Sequence, residues 1–140
     1  MTRQYRRPTS DVPERPITFN AAQDLGAFEL AELWADRSAW PVLDRTMYDE
    51  LAELACMAAL GQWLTRWLPI AIHGAMKADA EPAAVARACG LDVDAAYQRW
   101  NDWAVVQRDF IIAGKPGIGM EDYEAVKSAF LQRGLSANVA

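Results

Sequence analysis

Residues 82–100, PAAVARACGLDVDAAYQRW, decide how the chain folds. They predict two short helices joined by a tight turn. Pro82 suits the first helical position, where its missing N–H costs nothing. Val85, Ala86 and Cys89 follow at helical spacing. Gly90 stands where a helix ends in a left-handed residue, a conformation glycine adopts without a Cβ clash. Leu91 is expected to plug the angle between the helices. Asp92 can cap the second helix through its side-chain oxygen. Ala96 and Trp100, one turn apart, face back toward the first helix. Small Ala86 lets the helices approach, and Trp100 fills the base. This is the layout of a helix-turn-helix, a motif that lays its second helix in the DNA major groove.

The spacing A-x-P-x-x-V-A-x-x-C-G-L-D-x-x-A-A-Y-Q-R-W, from Ala80 to Trp100, resembles the helix-turn-helix of small actinobacterial, plasmid and phage DNA-binding proteins. Residues 66–80, RWLPIAIHGAMKADA, resemble the first helix of that tri-helical unit. The resemblance covers about 35 residues, and no family is identified for the whole chain. It implies a sequence-specific DNA-binding protein, a small transcriptional regulator or a mobile-element control protein, with double-stranded DNA as partner. The implied reading face is the exposed start of the second helix: Val93, Asp94, Tyr97, Gln98 and Asn101. Gln98 and Asn101 carry the amide that reads adenine. Arg99, Arg87 and Lys77 are expected at phosphates. The family usually has Ser and Arg or Gln where this chain has Asp92, Val93 and Asp94. A carboxylate there is favourable only against a cytosine amine.

The 140 residues carry a net charge of −5, and 52% are hydrophobic, ample for a buried core. The charge is unevenly spread. Residues 1–16 hold four arginines, Arg3, Arg6, Arg7 and Arg15, against two acids. With three prolines and no apolar period, this stretch reads as a flexible basic arm able to enter a minor groove or follow phosphates. Residues 17–58 carry eight acids against two basic groups. Their acidic segment, 24–53, suits a basic protein surface. The alternative reading is therefore a protein-interaction module that uses the helix-turn-helix fold without touching DNA.

The rest of the chain reads as helices. Asn20 and Gln23 signal a helix start, and that helix runs to about Asp36. Thr46 with Asp49 starts a second, strongly apolar helix to about Trp67, which Pro69 kinks or breaks. A third covers about 70–78. The second helix of the helix-turn-helix continues to about residue 112, and its apolar end is expected to pack on the N-terminal helices. A loop spans 114–119. A last helix covers about Glu121–Arg133, with Tyr123, Val126, Ala129 and Phe130 inward and a Schellman stop at Gly134 and Leu135. The expected fold is all-α, about six helices around a central tri-helical unit. Residues 17–140 form a single helical domain holding the helix-turn-helix at 82–103.

No other chemistry is encoded. Cys56 and Cys89 lie in apolar helical patterns and read as small core residues. No cysteine–histidine cluster has zinc spacing, so no metal and no cofactor are expected. The glycines around Lys115 do not form a phosphate-binding motif. The lone histidine, His73, reads as a satisfied structural group. The carboxylates Glu29, Glu32, Asp36, Asp49, Glu50 and Glu53 read as a solvated helix face. Trp63, Trp67, Trp100 and Trp103 read as core, while Trp34 and Trp40 flank a break and could line a partner groove. No catalytic residues are identified, and the chain is not expected to be an enzyme. Without a signal-peptide pattern or an apolar run long enough to span a bilayer, it is expected in the cytoplasm and off membranes.

Overall fold

The computed structural model describes residues 15–38 and 44–134. The described residues are all-α, with six helices and one very short hairpin. The helices are α1 (Phe19–Ala22), α2 (Ala27–Ser38), α3 (Met47–Lys77), α4 (Pro82–Cys89), α5 (Val93–Asp109) and α6 (Met120–Ala129). Strands β1 (Ile111–Ile112) and β2 (Lys115–Pro116) pair antiparallel between α5 and α6. Among the described residues no helix is long and apolar enough to cross a membrane.

The chain divides into two compact units, residues 1–65 and 66–140, with the division inside α3. In the first unit, Ala22, Leu30, Ala55, Cys56 and Ala59 form a buried cluster. Leu25, Leu33, Leu60 and Trp63 pack around it. The Cys56 thiol donates to the Leu30 carbonyl at 2.9 Å, and the Trp63 indole donates to the Leu25 carbonyl at 3.3 Å. Both bonds tie α3 to backbone carbonyls of the segment before it, one in the turn ahead of α2 and one inside α2. Arg45 bridges to Glu53 and, at 3.7 Å, to Glu50.

In the second unit the core is built on Trp100, which is fully buried. Ile72, Met76, Val85, Ala86, Ala96, Ala104, Ile118, Tyr123, Val126 and Phe130 complete it. Tyr123 stacks on Trp100 with ring centres 5.4 Å apart, and Phe130 lies 5.8 Å away.

Four expectations from sequence are corrected. The first helix is two: α1 ends at Ala22, and the chain turns through Gln23–Gly26 before α2. Thr18, not Asn20, caps α1, accepting from the Ala21 N–H at 3.2 Å. Pro69 does not break the chain, and α3 runs through it for 31 residues. An interior proline costs about 3 kcal/mol, and the burial of the Pro69 ring itself offsets part of that cost. The stretch after Trp103 leaves the helix at Asp109 and forms the hairpin. There Val106, Phe110, Ile111 and Ile112 are exposed rather than packed. Finally, α6 gives way to a π-turn at Phe130–Gly134 instead of a Schellman stop. Gly134 has no positive φ; a Cβ there would meet a Val93 methyl at 2.8 Å, so close approach explains the glycine.

Candidate nucleic-acid interface

The turn of the helix-turn-helix forms as its residues dictate. Gly90 takes φ 68°, the left-handed region. The Leu91 N–H then reaches the Ala86 carbonyl at 2.9 Å and the Gly90 N–H the Arg87 carbonyl at 3.2 Å. These are the two bonds of a Schellman stop. Asp92 begins α5 in extended conformation, and its carboxylate accepts from the Ala95 N–H at 2.7 Å. Pro82 sits at the start of α4 and is buried. α3 ends in a similar turn, but its left-handed residue is Asp79, at φ 65°.

Behind this motif lies a polar contact that sequence left open. The Trp100 Nε1–H donates to His73 Nδ1 at 3.0 Å, the two rings lying within 3° of parallel. Burial holds the His73 pKa below its ordinary value of 6.5, aided by the Lys77 charge and opposed by Asp122. The accepting nitrogen must stay unprotonated for the bond to exist.

The expected reading residues divide by face. Asp94, Gln98 and Arg99 are exposed on α5, and Arg87 is exposed at the end of α4. Val93 and Tyr97 are half-buried against the core, and Tyr97 lies edge-on to Phe130 at 5.6 Å. Asn101 is half-buried, its amide oxygen accepting from the Tyr123 hydroxyl at 2.9 Å. Lys77 pairs with Asp122 at 3.0 Å. Helical geometry explains the division: residues 93, 97, 100 and 104 share the inward stripe, and 94, 98 and 102 the outer one. Arg3, Arg6 and Arg7 lie outside the described residues.

The hairpin is the element sequence reasoning missed. Ala113 and Gly114 both take positive φ, 52° and 79°. That is the signature of a two-residue primed turn, normally Asn-Gly or Gly-Gly. Strands of two residues leave no alternating pattern, so only the glycine hinted at it. The Gly117 N–H joins it to α5 through the carbonyls of Gln107 and Phe110, at 3.0 and 3.1 Å. Lys115 is exposed on it.

Among the described residues no group of histidine, cysteine and carboxylate side chains could hold a metal. Comparison of the chain with models of known families, with curated proteins and with solved structures gives no match.

Proposed function

We propose that the second unit binds double-stranded DNA, with the first half of α5 entering the major groove. The observation that carries this reading is the exposure of Gln98 and Arg99 on the second helix of a fully formed helix-turn-helix. A glutamine amide suits adenine, and an arginine one residue on suits a guanine edge or a phosphate. Arg87 extends the basic surface from α4, and Lys115 on the hairpin offers a further phosphate contact. Transcriptional or mobile-element control is the role such a reader would serve. Selection of bound duplexes from random DNA at low salt tests the reading. One enriched sequence is expected; failure to enrich any overturns it.

A second reading is favoured by one observation. The exposed surface of α5 carries Asp94, Asp102 and Asp109 beside Arg99. Three acids around one base suit a basic protein surface better than a phosphate backbone. On this reading the motif is an interaction module that never touches DNA, and binding unaffected by nuclease treatment marks it.

A further inference from the structure

We propose that α3 pairs antiparallel with α3 of a second copy of this chain, through the outer face of the first unit. Met47, Glu50, Leu54, Met57, Gly61 and Leu64 follow one another at alternating steps of three and four residues. That spacing is the seam of a coiled coil. All six are exposed, and Met47, Leu54, Met57 and Leu64 each leave between 48 and 65% of their surface in water. The opposite face of the same helix, with Ala52, Ala55, Cys56 and Ala59, is buried in the first unit. Among the described residues the outer seam is therefore a second apolar face of α3, left in water.

The face has the size of a small dimer contact. Met47, Leu54, Met57 and Leu64 together expose on the order of 400 Å² per copy, about half of the roughly 800 Å² each partner gives a standard interface. Its composition fits a second copy as well. The run from Leu54 to Thr65 contains no charged residue. Homodimer interfaces are the more apolar class, whereas partners chosen by charge need a charged rim.

Charge and size then select the direction. In a parallel pair each residue meets its own counterpart, so two Glu50 carboxylates would face each other inside the seam. Gly61 would face Gly61 and leave a void. In the antiparallel pair Met47 meets Leu64, Leu54 meets Met57, and Glu50 lies over Gly61, which has open space where a Cβ would sit. The two glutamates separate, and the void is filled by the Glu50 stem. The arrangement repeats about a two-fold axis between Leu54 and Met57, as an isologous dimer requires. The opposed helix dipoles favour it too.

Sedimentation equilibrium of the full chain tests the pairing. A dimer is expected, and the double variant Leu54→Glu/Leu64→Glu is expected to be monomeric with unchanged helical circular dichroism and melting. Direction is read by oxidation in a Cys89→Ser background. Met47→Cys mixed with Leu64→Cys should cross-link, while Met47→Cys alone should not, because two such residues lie about 25 Å apart along the axis. A chain still monomeric at about 0.1 mM overturns the proposal and leaves the face to a different protein. A dimer that survives both glutamates places the contact elsewhere and overturns it equally. Cross-linking of Met47→Cys with itself overturns the antiparallel direction.

Discussion

The indole of Trp100 and the imidazole of His73 share one hydrogen bond, 3.0 Å long, across 27 residues of sequence. It joins a fully buried residue of the second unit to the C-terminal part of α3. Trp100 has no surface in water, so its N–H has no alternative partner there.

His73 also makes stability depend on pH. His73 titrates below 6.5 in the folded chain, for reasons of burial first and the Lys77 charge second. The unfolded chain therefore binds the proton more readily than the folded one. Stability is full above about pH 6.5 and falls as pH drops from there toward the folded value. Urea melts between pH 7.5 and 5 should show the decline. In His73→Phe this component should vanish, and the unpaired indole N–H should cost about 1–3 kcal/mol at pH 7.5. A pH response identical in the two proteins would remove His73 as its source.

Trp100→Ala should cost about 3–5 kcal/mol, the range for a large aromatic in a core that cannot collapse around the loss. Gly90→Val should also destabilise, because a β-branched residue resists φ 68°. Thermal melts measure both, and transitions within a degree or two of wild type would contradict the packing described.

Asp79 presents the opposite case. It holds the left-handed position at the end of α3, where an L-residue pays about 1 kcal/mol. Asp79→Gly should raise stability by about 0.5–1 kcal/mol. A lower midpoint in denaturant would show that the carboxylate makes a contact worth more than the backbone strain.

On DNA, Gln98→Ala should weaken specific binding by about 1–3 kcal/mol and relax preference at one base pair. Uniform loss across sequences would assign Gln98 to phosphate instead. Asp94→Ala should tighten binding to all sequences, since it removes a negative charge from the approaching face. Competition binding with selected and scrambled duplexes separates these outcomes.

Removing residues 2–14 deletes Arg3, Arg6 and Arg7. Each phosphate contact contributes about 0.9 to the slope of log K against log salt, so the slope should flatten by up to about 2.7. An unchanged slope would exclude the arm from the interface.

The helix-turn-helix was legible because every residue of it acts locally. Pro82, Gly90 and Asp92 specify start, stop and cap through their own backbone and side chain, and each does so in the structure. What sequence missed was decided at a distance. Pro69 lies buried inside a 31-residue helix, against its own preference. Ala113 takes a positive φ that no propensity assigns to alanine, and the hairpin it closes has no pattern long enough to read. Among the expected contact residues, the helical stripe through Trp100 already separates outward Gln98 from inward Tyr97, but the partners that hold Tyr97 and Asn101 come from elsewhere in the chain. Tyr123 and Phe130, on or just after α6, are those partners. Nothing within 82–103 announces them.

The close approach of Gly134 to Val93 and Pro82 has a practical consequence for anyone engineering the molecule. Val93 and Pro82 are the first residues of the two motif helices. A peptide cut to 82–103 would lack the turn that seats on both, so the shortest useful fragment extends through residue 134. The chain also leaves that turn beside the starting ends of α4 and α5. On the DNA-binding reading proposed above, a bulky fusion partner joined immediately after Gly134 would block the duplex, and a small fluorophore joined at the same place would report its arrival.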